Sequence, residues 1–137
     1  TGPNHSGATL HGFLSYLVKA SLKMKKYDLI GYKGKQVRDN LHSYDLVNCF
    51  WQFYKKPRNG EIYNIGGGRY SNCSILEALN LVEEITNVKI RRKILNTPRV
   101  GDHIWYISDT SKFKKHYPKW KQKFNTKKII EELIESQ

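Results

Sequence analysis

The sequence predicts an α/β fold of four to five helices with short strands, and three observations carry that reading. Helical and strand periodicities alternate along the 137 residues. Residues 61–65 form an apolar strand that runs into Gly66-Gly67-Gly68 and then a capped helix, a doubly wound signature. The remaining strands are short and polar, so the neighbours that would flank 61–65 are expected upstream of Thr1, and the dinucleotide-binding sheet is expected to be absent. No composition shift or linker divides the chain, so residues 1–137 read as one domain.

After a Gly/Pro/Asn-rich opening, Leu10, Phe13, Leu14, Leu17 and Val18 recur at helical spacing and predict a helix over 8–23. Residues 27–32 and 36–41 read as short strands around a turn at Lys33-Gly34-Lys35. Ser43 suits an N-cap, with Asp45 in the first turn beside the positive end of the helix dipole. Leu46, Val47, Phe50, Trp51, Phe53 and Tyr54 predict a largely buried helix that stops before Pro57, because the residue preceding proline avoids helical geometry. Ser74 and Glu77 form a capping box opening a helix to about Thr86. Residues 88–95 alternate apolar and basic and read as an edge strand. A loop over 96–103, an extended 104–107, a short helix capped by Asp109 and a last helix from Thr126 complete the order.

Composition narrows the function classes. Lys plus Arg number 24 against 12 Asp plus Glu, a net charge of +12, which favours an anionic partner such as nucleic acid, anionic lipid or a phosphate-bearing small molecule. No apolar run approaches a membrane span. Cys49 and Cys73 are far apart and read as reduced thiols of a cytoplasmic protein; with five scattered histidines they lack zinc spacing. The opening Thr1-Gly2-Pro3 shows no signal peptide and reads as cut from something longer.

Several constellations invite chemistry. Gly66-Gly67-Gly68 has the strand–turn–helix setting of a phosphate cradle, yet matches neither dinucleotide nor P-loop spacing, and reads as a tight turn. Arg38 carries the planar fork suited to a phosphate; Asp39 either orients it or pairs in the core. Arg99, in Pro98-Arg99-Val100-Gly101-Asp102-His103, is placed to close on the same anion, and Asp102 to accept from sugar hydroxyls. Each of these segments reads equally as an ordinary polar strand or turn. Tyr117 and Lys121 have a Tyr-x-x-x-Lys spacing, but Pro118 removes the helix that device needs. His42 and His103 are isolated histidines, structural or substrate-lining more often than acid/base groups. The basic tail over 112–128 reads as a solvated surface around packed aromatics, with a nucleic-acid stripe of stacking Tyr117, Trp120 and Phe124 as the rival.

Taken together, Gly2-Pro3-Asn4-His5-Ser6-Gly7, His11-Gly12-Phe13-Leu14, Gly34-Lys35-Gln36-Val37-Arg38-Asp39, Tyr63-Asn64-Ile65-Gly66-Gly67-Gly68 and Arg99-Val100-Gly101-Asp102-His103 resemble the C-terminal part of the extended short-chain dehydrogenases/reductases. These are the NAD-dependent epimerases and dehydratases of nucleotide sugars, and the resemblance is strongest to those acting on CDP-linked sugars. It implies that Arg38 and Arg99 grip a diphosphate and that Asp102 contacts ribose. Gly12 and Phe13 fall where the family holds the base, Asn40 lines the phosphate or sugar region, and Tyr106 borders the sugar pocket.

The resemblance also implies what is missing. The family's NAD fingerprint and its catalytic Ser/Thr and Tyr-x-x-x-Lys precede the Gly-Pro at which this chain begins. The expectation is therefore a nucleotide-sugar-binding domain that binds no cofactor by itself, has no catalytic residue of its own and is inactive alone. Its expected partners are a nucleotide sugar and either a second copy or a complementing NAD-binding chain, with nucleic acid as the rival partner.

Overall fold

The computed structural model describes residues 1–5, 12–24 and 26–137. Helix α1 spans Phe13–Met24. The expected helix start at residue 8, with Leu10, lies outside the described residues, as do Ser6, Gly7 and His11 of the resemblance. Strand β1 (Lys26–Ile30) follows, then a 3-10 turn at Tyr32–Gly34 and strand β2 (Val37–Asp39). Helix α2 is Ser43–Lys55, β3 is Asn72–Ser74, α3 is Ile75–Thr86 and β4 is Arg91–Leu95. Strand β5 (Trp105–Tyr106), α4 (Ser111–His116) and α5 (Thr126–Glu135) close the chain.

The strands form two small sheets. β1 pairs parallel to β4, from Lys26↔Arg91 to Ile30↔Leu95. β2 is the centre of the other sheet, antiparallel to β3 through Arg38↔Cys73 and parallel to β5 through Arg38↔Tyr106. The predicted edge strand is therefore present, with its Arg/Lys face exposed.

One core joins α1, α3 and α5. Leu14, Leu17 and Val18 meet Leu79 and Val82, and Ile129, Ile130 and Leu133 close the third side; Leu29 of β1 and Ile90 fill the floor. Burying each such side chain contributes roughly 1.5–3 kcal/mol. The capping box forms as expected: Ser74 Oγ accepts from Glu77 N–H at 3.2 Å and Glu77 Oε2 accepts from Ser74 N–H at 2.7 Å. A second cluster packs Cys49 of α2 against Phe113, Tyr117 and Trp120. Asp45 ties it down. Its carboxylate, fully buried, accepts from the N–H groups of Lys123 (2.9 Å) and Phe124 (3.1 Å), and its carbonyl accepts from Trp120 Nε1–H at 3.0 Å.

Four expectations are corrected. Helix α2 is not largely buried: Val47, Phe50, Trp51 and Tyr54 are 64, 60, 54 and 74% exposed. Only the narrow stripe of Asp45 and Cys49 is buried, because the second cluster covers one side of the helix. Residues 61–65 are not a strand: they run without a ladder partner among the described residues, and Ile62 lies open to solvent. Neighbouring strands are what turn an extended apolar segment into a buried one. The cap of α2 is His42, whose Nδ1 accepts from Tyr44 N–H at 3.1 Å, and Ser43 is the first helical residue. Likewise Thr110 holds the cap position of α4, although Asp109 accepts from Ser111 N–H at 2.9 Å.

No helix among the described residues is long and apolar enough to cross a membrane.

Candidate functional site

The site begins at Gly31, between β1 and the 3-10 turn. Its φ is 68°, and a Cβ there would meet Pro98 Cα at 2.7 Å. Its N–H donates to Leu95 O at 2.7 Å. A glycine is therefore required for the loop after β4 to fold back against the end of β1. The loop tightens again where Asp102 N–H donates to Arg99 O at 3.1 Å, and Tyr32 Oη donates to the Asp102 carbonyl at 3.4 Å.

That loop meets Arg38, held in the centre of its sheet. Arg38 Nη1 donates to the Val37 carbonyl at 2.7 Å, and Nη2 pairs with the Asp102 carboxylate. Both side chains are about one-fifth exposed, so the pair is partly shielded from solvent. Arg38, Arg99 and Asp102 line one cleft of about 160 Å³. Phe13, Tyr16 and Tyr27 form its aromatic wall, the two tyrosine rings lying 6.2 Å apart. Gln36 and Asp28 add polar groups. Burial pushes the Tyr27 hydroxyl up to about 12, helped by Tyr16 and opposed by Arg99, so it stays protonated at neutral pH.

Of the residues singled out in the sequence, Phe13, Arg38, Arg99 and Asp102 are thus brought together. Three are not. Asn40 turns into the core, its Nδ2–H groups meeting the Arg38 carbonyl at 3.2 Å and Cys73 Sγ at 3.6 Å. Tyr106 stands on the exposed edge strand beside His103, ring centroids 5.7 Å apart. Gly12, at φ 78°, packs on His5: a Cβ there would meet the His5 ring at 2.1 Å. Tyr16, Tyr27, Asp28 and Gln36 were missed. The period-2 pattern around β1 placed Tyr27 and Asp28 on a strand without saying which structure its faces would meet.

The glycine-rich turn serves packing. A Cβ at Gly66 would meet Ser108 Oγ at 2.2 Å, and one at Gly67 would meet Ser71 O at 2.3 Å. The Gly68 N–H is taken by Asp39 Oδ2 at 2.9 Å, which also accepts from Ser108 N–H at 3.0 Å. Asp39 therefore pairs in the core, and the turn has neither space nor a free Gly68 amide for the pyrophosphate of NAD. It does not fit that cofactor.

The other constellations resolve structurally. Tyr117 and Trp120 are only 4% and 1% exposed, so two of the three rings of a stacking stripe face inward. Tyr117 lies beyond the end of α4 and donates its Oη–H to the Lys56 carbonyl at 2.9 Å. His42 is buried and stacks on Phe124 at 4.0 Å, as a structural histidine. Burial raises the Cys49 and Cys73 thiols to about 11 and about 12, which leaves both as unreactive packing groups. Among the described residues, no group of three or more His, Cys, Asp or Glu is placed to hold a metal.

The fold is the Rossmann-like α/β arrangement found in the C-terminal part of nucleotide-sugar epimerases. The relatives specify it further. Residues 1–66 match the model of the NAD dependent epimerase/dehydratase family. The chain is a homologue of CDP-paratose 2-epimerase from Salmonella typhi, 26% identical over 131 residues, covering 90% of this chain and 38% of that protein. UDP-arabinose 4-epimerase 1 of Arabidopsis thaliana is 31% identical over 116 residues, covering 83% of this chain and 27% of its own length. Among solved structures, UDP-glucose 4-epimerase of Thermotoga maritima with UDP-glucose superposes with a TM-score of 0.83 at 23% identity, over 99% of this chain and 42% of that one. The chain thus spans less than half the length of each of these relatives.

Proposed function

We propose that this chain is the substrate-holding part of an NAD-dependent nucleotide-sugar epimerase or dehydratase of the cytoplasm. Its cleft takes the diphosphate of a CDP-linked sugar between Arg38 and Arg99, with Asp102 at the ribose. The observation that carries this reading is that two arginines far apart in sequence, from different elements, line one cleft. A guanidinium matches phosphate oxygens through paired N–H donors, and two of them offset the charge of a diphosphate. The relative named for a CDP-linked sugar, aligned over 90% of this chain, supports the cytidine assignment.

The chain alone does not turn substrate over. In support of this, Tyr117 and Lys121, which have the Tyr-x-x-x-Lys spacing, lie beyond the end of α4, and the glycine turn does not fit NAD. The complement is an NAD-binding chain that covers the exposed face of α2 and supplies strand neighbours for 61–65. Self-association through the same surface is the alternative when that complement is absent.

Calorimetric titration with CDP tests the reading. Arg38→Ala and Arg99→Ala are each expected to weaken binding roughly ten- to a hundredfold, the scale of a lost charge-assisted hydrogen bond. Added salt is expected to weaken it only modestly. Arginine-independent binding, or a steep salt slope with duplex DNA as the tighter ligand, contradicts it. Epimerised product from the purified chain with NAD and CDP-sugars contradicts the inactivity.

A further inference from the structure

We infer that Gln36 and Asp28 read the exocyclic amino group of the base, so that the cleft takes cytidine nucleotides in preference to uridine nucleotides. The inference rests on the function proposed above and assigns its base selectivity to two residues of this chain.

Gln36 lines the cleft from just before β2 and is almost fully buried. Its Nε2–H donates to the Ile30 carbonyl at 2.9 Å. That bond fixes which way the amide points, because a carbonyl oxygen can only accept. The other end of the amide, Oε1, is then a buried acceptor with no donor among the described residues. An acceptor left this way is unfavourable until a ligand donates to it.

Asp28, on β1, supplies a second acceptor at the same cleft. Its carboxylate meets Lys26 only at 3.5 Å, with both side chains about half exposed, so that pair holds it loosely. The rings of Phe13, Tyr16 and Tyr27 offer apolar faces to a flat base. A cleft of about 160 Å³ is small for a ligand site and suits one ring better than two.

Two acceptors lining one cleft favour the base whose exocyclic group donates over the base whose exocyclic group accepts. Cytosine presents N4–H donors on its Watson–Crick edge. Uracil presents the O4 acceptor at the same position, which a carboxylate and an amide oxygen repel. A site built around a hydrogen-bonding group rejects the analogue that cannot complete the bond more strongly than it rejects a mere change of size.

The test is calorimetry of the full chain with CDP, UDP and inorganic pyrophosphate. CDP is expected to bind about tenfold tighter than UDP, the scale of one or two hydrogen bonds. Gln36→Met is expected to lower CDP affinity while leaving pyrophosphate unchanged. Asp28→Asn can turn an amide N–H toward O4, and is expected to narrow the CDP/UDP ratio by raising UDP. Asp28 is exposed, so this variant keeps the inference testable if Gln36→Met fails to fold. Equal, arginine-dependent affinity for CDP and UDP overturns the base reading and leaves the diphosphate site standing. No binding of any of the three overturns both.

Discussion

The side of the molecule built on α1, α3 and α5 covers its own apolar surface, whereas the side built on α2 does not. On the first, Leu17, Leu79 and Ile129 have no exposure at all. On the second, Phe50, Trp51 and Tyr54 lie open and residues 61–65 have no ladder. Both helical faces are comparably apolar, so composition does not separate them. What separates them is whether the apolar face has a partner within the chain. The covered side builds the wall of the cleft and gives the chain an independent core. The open side is the face that the proposed complement would cover.

Hydrogen exchange gives the largest expected contrast. Amides of 62–65 are expected to exchange near the unfolded rate, while those of Leu79 and Val82 exchange at least a hundredfold more slowly, as buried helical amides do. Slow exchange at 62–65 in a monomeric chain would show that the open side is already covered.

Paired truncations sharpen the same comparison. Leu79→Ala is expected to cost about 2–5 kcal/mol by thermal or denaturant unfolding, because it leaves a cavity. Trp51→Ala, on the open face, is expected to change stability by no more than about 0.5 kcal/mol in the chain alone. A large cost at Trp51 would place it in an interface, as between copies of the chain.

The capping box has the smallest effect. Ser74→Ala is expected to cost about 1 kcal/mol. The backbone N–H of Ser74, and then its hydroxyl, hold the Glu77 carboxyl below its ordinary 4.5, against a small opposing effect of burial. A depressed carboxyl contributes stability above its unfolded value and loses it as pH falls through the folded one. The Ser74→Ala deficit is therefore expected to shrink as the pH drops below 4.5. A deficit independent of pH would mean that Glu77 does not take part.

The sequence revealed most where the signal is local. Ser74 and Glu77 specify their helix end within four residues, and Pro118 excludes helix at Tyr117. Arg38 and Arg99 stood out by residue type and by family resemblance. The burial of α2 was misjudged because periodicity identifies an apolar face and says nothing about its partner. The loop geometry depended on Gly31 against Pro98, a long-range contact with no local signature. Asn40 was misplaced for a related reason: the alternation that puts it on the Arg38 face holds only within the strand, and β2 ends at Asp39, so Arg38 lines the cleft while Asn40 meets Cys73. Asp45 suited a helix dipole, yet it braces a segment 78 residues away.

A double-mutant cycle on Arg38 and Arg99, read as CDP affinity, tests the central claim most directly. If both guanidiniums hold one diphosphate, the two losses are coupled: the double variant is expected to deviate from their sum by more than about 0.5 kcal/mol. Losses that add within that margin, or no loss at either arginine, would contradict a shared diphosphate site.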